Sequence, residues 1–273
     1  MKTQNYPVQK RNGIPFLMLL LFVFVQTVLF AQTAAPTVFA LTTLQQVSNS
    51  AEFEKLMKEN WKPLHQLRKQ NGKITNWALY RVHMTGASDE YNYVSVMYFD
   101  SFVKTEANDN YLELMKAANP KADAADIISK TSNVRTIMRQ AIYSRVDGTT
   151  PKAGAAPAKY IEIDFMKVTS GMGAEYVRVE KEDWKPVHQA LVDGGQRVGW
   201  TLWSLAMPAG TSNNHDYVTS NIFSGYDQFS NQDYEGAFKK AHPGKDANSM
   251  MEKTGKARNM VKSELWELVM TLN

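Results

Sequence analysis

Cysteine is absent from all 273 residues. That excludes a disulfide scaffold, a thiolate-ligated zinc or iron–sulfur centre, a cysteine nucleophile and a lipid-modified cysteine. Charge of one sign is also scarce. The chain has 31 Lys and Arg against 27 Asp and Glu, a net of +4, and no long basic run, so the electrostatic footprint of a nucleic-acid binder is missing. No Gly-rich phosphate loop, Ser/His/Asp order or metal motif occurs, and the sequence predicts no cofactor and no metal. What is present is apolar: 44% of the residues are hydrophobic and 11% aromatic. That is enough surface to offset ordering entropy and to exclude a disordered chain.

The first thirty residues read as an address. Lys2, Lys10 and Arg11 form a basic start, Phe16 to Phe30 is almost unbroken apolar sequence, and Ala31 supplies a small residue. Together they predict a signal peptide over 1–31, cleaved near Ala31, and export to the periplasm or beyond. The apolar stretch is short of the roughly 20 residues that span a bilayer, so no stable anchor is expected after cleavage. The leader holds three of the basic residues and no acidic one, leaving 28 against 27, a net of +1.

The remainder is one unit written twice. Lys58-Glu-Asn-Trp61-Lys-Pro63-Leu-His65-Gln66 returns as Lys181-Glu-Asp-Trp184-Lys-Pro186-Val-His188-Gln189, an offset of 123. The same offset carries Trp77 onto Trp200, Tyr111 onto Tyr234, Pro120 onto Pro243 and Arg135 onto Arg258. Gly148-Thr-Thr-Pro151-Lys-Ala-Gly-Ala-Ala-Pro157 separates the copies and has the composition of a linker. The organisation expected is a first module over 36–147, a linker over 148–159 and a second module over 160–273.

Each copy predicts a strand, an amphipathic helix, a hairpin of two strands, further helical segments and a closing strand. That order, βαββαβ, is the ferredoxin-like unit of an α+β fold. Trp77-Ala-Leu-Tyr80 and Trp200-Thr-Leu-Trp203 put large side chains on both sheet faces. Helices can cover one face and the other copy the second. The Trp-x-Pro-x-His-Gln helix, the Gly-x-x-x-x-Trp strand and the Tyr-rich hairpin strand resemble the dimeric α/β-barrel superfamily, and within it NIPSNAP- and EthD-like modules. The resemblance covers nearly all of 36–273 and implies two tandem ferredoxin-like modules packed as a pseudo-dimeric α/β barrel. It implies no catalytic set, since fold alone does not carry function.

Projected at 100° per residue, the first helix of each copy shows an apolar stripe interrupted by polar groups. Asn60, Glu180 and Asp183 fall near its centre, and His65 and His188 at its edge beside Trp61 and Trp184. A carboxylate facing a sheet is costly unless paired. Glu180, Asp183 and His188 are therefore either acid/base or ligand-binding groups of a polar pocket, or capped groups that hold the layers together. Asn60, Trp61, His65, Trp184, Trp203, Tyr217 and Asn221 are the candidate ligand-binding residues. Pro63 and Pro186 either kink these helices or begin second ones. Arg135 and Arg139 are expected on one face with Tyr143, and Arg258 and Lys262 on one face with Trp266. Those faces look either into the barrel, where four cations would favour an anion, or outward as charged edges.

The function expected is binding of a small, partly apolar, potentially anionic molecule between helix and sheet. The alternatives are a cofactor-independent enzyme of the monooxygenase or EthD kind that the resemblance implies, using Glu180, Asp183 or His188; haem binding through His65 or His188; and a structural or interaction role.

Overall fold

The computed structural model describes residues 38–86, 88–106 and 109–272. The leader expected over 1–31 lies outside these residues. None of the described helices is long and apolar enough to cross a membrane.

The first module runs β1 (Phe39–Val47), α1 (Ser50–Leu56), α2 (Lys62–Gln70), β2 (Asn76–Val82), β3 (Tyr93–Phe99), α3 (Tyr111–Ala118), α4 (Ala124–Val134) and β4 (Arg135–Gly148). The second repeats it as β5 (Tyr160–Val168), α5 (Gly173–Val179), α6 (Lys185–Asp193), β6 (Gly199–Met207), β7 (Tyr217–Phe223), α7 (Tyr226–Ser230), α8 (Tyr234–Ala241), α9 (Ala247–Ala257) and β8 (Arg258–Thr271). The sheet closes as a barrel in the order β1-β3-β2-β8-β5-β7-β6-β4. Each module contributes four strands, and its outer strands complete the other: β2 pairs with β8 and β4 with β6. Closure removes the free edges that two separate sheets would leave.

All neighbouring strands are antiparallel. Equivalent strands stand four apart in a ring of eight and run the same way, so the internal twofold lies along the barrel axis. The two hairpin loops, 83–92 and 208–216, therefore meet at the same mouth.

The prolines are accommodated without a break in the helix. Between α1 and α2, Met57–Trp61 forms a π-turn, and Glu180–Trp184 forms its counterpart between α5 and α6. Lys62 donates its N–H to the carbonyl of Met57, and Lys185 to that of Glu180. The wider turn lets proline enter the first turn of the next helix, where its missing donor costs least. The extra residue also resets the helical phase. Arg68, 1% exposed, lies in the core, and Leu67, placed in the stripe by a regular projection, is only partly covered.

Alternation along the strands divides the apolar residues. Trp77, Met97 and Leu41 face the helices of the first module, while Tyr80, Val96, Ile163 and Trp266 fill the barrel interior. The closing strands depart from the expected face sharing. A bulge at Met138 and another at Val261 interrupt the register with β1 and β5. One inserted residue exchanges the faces beyond it. Arg135 stands opposite Val47 on the helix side, and Arg139 opposite Leu44 on the barrel side, exposed at its rim. Arg258 and Lys262 repeat the division. The four cations thus divide between the two sheet faces, Arg135 and Arg258 on the helix side of their own modules and Arg139 and Lys262 on the barrel side.

Candidate functional site

In the second module the helix–sheet layer holds a cavity of about 700 Å³. The π-turn and α6 give Glu180, Trp184, Val187 and His188; β5, β6 and β7 give Asp164, Trp200, Thr219 and Asn221. Phe238 and Met250 from α8 and α9 close the apolar side, and Arg258 borders it from the start of β8. The core around it is split. Met166, Tyr176, Trp200 and Leu202 form one cluster, and Val187, Leu191, Phe238 and Met250 another.

His188 is held by three contacts. Its ring stacks on Trp200 at 4.8 Å and Trp184 at 5.9 Å. Its Nδ1 lies 2.7 Å from Arg197 Nη1. A guanidinium only donates, so Nδ1 accepts and the proton of the neutral ring sits on Nε2. Burial, with the Arg197 charge added, holds His188 well below the usual histidine range and therefore neutral. Arg197 also donates to Asn221 Oδ1 at 2.6 Å, to Gln232 Oε1 and to the Tyr234 hydroxyl. Asn221 Nδ2 in turn donates to Glu162 at 3.0 Å and Asp164 at 2.9 Å. Arg197 and Asn221 link two carboxylates to one imidazole.

Glu180 is 2% exposed. Burial pushes its carboxyl up to about 7, against the pull of the Arg258 charge, and the charge of Asp164 adds to the rise. Arg258 Nε is itself buried with no hydrogen-bond partner among the described residues. The cavity thus offers an apolar slot, a carboxyl that gains and loses its proton near neutrality, and an unsatisfied cationic donor.

Of the residues proposed from sequence, Glu180, Trp184, His188 and Asn221 line this cavity. Asp183 does not join them; it borders an adjoining hollow of about 260 Å³ with His242 and Lys245. Its backbone carbonyl accepts from His242 Nε2 at 2.7 Å. Tyr217 lies on the same sheet face but packs edge-on against Tyr176 at 4.9 Å. Trp203 points to the opposite face, into the barrel interior. Asn60, Trp61 and His65 lie in the first module's helix–sheet layer. There Trp61 Nε1 donates to Thr131 Oγ1 at 2.9 Å, Asn60 to Asn119 at 3.1 Å, and His65 stacks on Trp77 at 4.7 Å. The ten candidates therefore occupy several places.

Sequence reasoning missed Arg197, Asp164 and Tyr234. Arg197 sits in a Gly-rich turn, and its counterpart at the offset of 123 is Ile74. A cation replacing an aliphatic residue between copies was the available signal.

Haem does not fit through His188. The one lone pair of neutral His188 is taken by Arg197, whereas an iron ligand needs that pair free and a partner accepting from the other nitrogen. His65 Nδ1 is buried without a partner, and burial lowers its ring to about 3. No cluster of three His, Cys, Asp or Glu able to hold a metal occurs among the described residues.

Similar solved structures include a candidate monooxygenase from Fusobacterium nucleatum, with a TM-score of 0.53 at 8% identity over 88% of this chain and 95% of that one. Another is a candidate monooxygenase from Lactobacillus acidophilus, with a TM-score of 0.49 at 9% identity over 88% and 97%. A third is a haem-binding protein from Thermus thermophilus, with a TM-score of 0.46 at 9% identity over 86% and 93%. No protein-family model and no curated protein matches the sequence. The fold is a ferredoxin-like α/β barrel of the dimeric type, with both halves of the barrel in one chain.

Proposed function

We propose that the helix–sheet cavity of the second module binds a partly apolar small molecule, and that Glu180 is the group that shares a proton with it. The observation that carries this reading is a buried carboxyl raised to about 7 at the wall of a 700 Å³ cavity. Protonated, Glu180 donates a hydrogen bond; ionised, it accepts one. Arg258 completes the polar end for an oxygen-bearing group. A second reading, a cofactor-independent enzyme that moves a proton on its substrate, is favoured by the same value, since a general base works best when poised near the ambient pH. The proposal includes export of the chain by its leader and kinship with NIPSNAP- and EthD-like modules within the superfamily.

A thermal-shift screen with naphthoates, phenols and medium-chain acids tests it. A saturable rise of several degrees is expected for one class, by mass action on the native state. Val187→Phe, which puts a ring into the cavity from its wall, should weaken or abolish it. Glu180→Gln separates the two readings: turnover lost with affinity kept marks the enzyme, and weakened binding with no turnover in either protein marks the binder. A flat screen at pH 5 and at pH 8 alike would overturn the proposal.

A further inference from the structure

The barrel interior holds a second cavity, of about 180 Å³, on the opposite sheet face from the first. Both modules build its walls. Tyr98 and Ala141 come from the first, and Trp203, Val218 and Trp266 from the second. Its charged groups, Glu90, Arg139 and Lys262, gather at the mouth where the two hairpin loops meet.

Two cations reach that mouth, Arg139 and Lys262, turned inward by the twin bulges at Met138 and Val261. Their surroundings differ. Lys262 Nζ lies 2.6 Å from Glu264 Oε1 and 4.7 Å from the centre of the Phe165 ring. Glu264 is taken up further by Tyr91, at 2.7 Å, and by Trp266 Nε1, at 2.9 Å. Arg139 has no carboxylate in ion-pair reach among the described residues. Further along the same strand the Tyr143 hydroxyl lies 2.8 Å from His215 Nε2, and His215 Nδ1 lies 2.6 Å from Asn214 Oδ1. The amide oxygen only accepts, so the His215 proton is on Nδ1 and Tyr143 donates to Nε2. Burial holds His215 down at about 4, and repulsion from Lys262 and Arg139 adds to it. The histidine is neutral; of the two carboxylates at the mouth, Glu264 is taken up by Lys262 and Glu90 makes no ion pair with Arg139, which leaves the guanidinium open to an anion.

We propose that this cavity is a second ligand site, for a monocyclic aromatic carboxylate whose ring lies between Trp203 and Trp266 and whose carboxylate meets Arg139 at the mouth. The size follows from the volume: a dry apolar cavity of roughly 150 Å³ holds benzene. The aromatic walls favour a ring, and a planar guanidinium suits a carboxylate. The inference does not depend on the helix–sheet cavity, since the sheet separates the two.

Benzoate titration of the full chain by calorimetry tests it. One saturable equivalent is expected. Benzyl alcohol, which keeps the ring and loses the charge, should bind at least about tenfold more weakly, and Arg139→Gln should weaken benzoate by a similar factor. Ala141→Phe, which fills the axis, should abolish binding, while Val187→Phe in the helix–sheet cavity should leave it unchanged. Ser220→Leu, on the same axial wall, replaces Ala141→Phe if that variant does not fold. No saturable binding up to roughly 10 mM, or benzoate binding indifferent to Arg139→Gln, would overturn the proposal. Loss of binding in Val187→Phe alone would also overturn it, and would assign benzoate to the helix–sheet cavity instead.

Discussion

In the first module Met57 and Met97 reach into the layer between helices and sheet, and its core is one continuous cluster from Leu41 to Leu272. In the second module the equivalent positions hold Glu180 and Asn221, and the layer contains a cavity of about 700 Å³. The backbones agree closely, down to the π-turn before each proline and the bond from each tryptophan to a threonine, Trp61 to Thr131 and Trp184 to Thr254, both at 2.9 Å. A few side chains therefore decide whether the same frame is a packed core or a site.

The buried guanidiniums show the same divergence. Arg68, on α2, pairs with Asp109 at 2.7 Å and lies over Tyr111 at 5.5 Å. Arg197, from the turn before β6, lies over Tyr234 at the same 5.5 Å. Tyr111 and Tyr234 are equivalent, but Arg68 is replaced by Leu191 and Arg197 by Ile74. Each module thus keeps a cation beside its histidine and tyrosine, supplied from a different point of the backbone. In the first it is neutralised by an aspartate. In the second it orders His188 and Asn221 toward the cavity.

The largest effect is expected from removing these cations. Arg197→Met strands His188 Nδ1, Asn221, Gln232 and Tyr234, and should cost about 3–5 kcal/mol in chemical denaturation. Arg68→Met should cost less, because the Asp109 side chain is 14% exposed and water can reach it. Equal losses would mean that the two arginines do the same structural task.

Next comes the pH dependence set by Glu180. Its native value, about 7, lies above the ordinary 4.5. The native state therefore binds the proton more tightly, and the stability this gives is complete below 4.5 and lost as the pH rises through about 7. The expected loss is about 3 kcal/mol. Glu180→Met should remove this slope, with little change at pH 4 and a clear gain at pH 8, while Met57→Glu should introduce a slope of the same sign. His65 and His188, held below 6.5, act in the opposite sense and cost stability as the pH falls beneath that value. Melting temperatures from pH 4 to 9 check both arms.

The smallest effect concerns one methylene. Leu64→Val in the filled module should cost about 1 kcal/mol. Val187→Leu, which restores the first module's residue at the cavity wall, should be neutral or gain a few tenths of a kcal/mol, and should weaken ligand binding in the screen above. A cost equal to that of Leu64→Val would mean that the second layer is as tightly packed as the first.

Much of the frame was legible in the chain. The constant offset of 123 exposed the duplication, the alternation around Trp77 and Trp200 exposed a sheet covered on both faces, and the place of Glu180 and His188 beside Trp184 marked the layer where the cavity lies. Legibility failed where one residue changes a phase. The bulges at Met138 and Val261 cannot be read from an apolar–polar pattern, because an inserted residue leaves the composition unchanged while exchanging the faces beyond it. The π-turn moved Arg68 inward for the same reason. Trp203 and Asn221, both candidates for one pocket, stand on opposite sides of the sheet by strand parity, and Asp183 was separated from Glu180 by the wider turn.

By itself the sequence determined the periodicities, the doubling and the chemistry available: which groups titrate, which are aromatic, and that no thiol takes part. Those are properties of local spacing and residue type. Only the tertiary structure decided that β2 joins β8 and β4 joins β6 into a closed ring, that Arg197 reaches Asn221 and Tyr234, and that the cations of the closing strands divide between the helix side and the barrel side of the sheet. Such pairings join residues far apart in the chain, and their energies depend on burial and distance, which exist only once the barrel has closed.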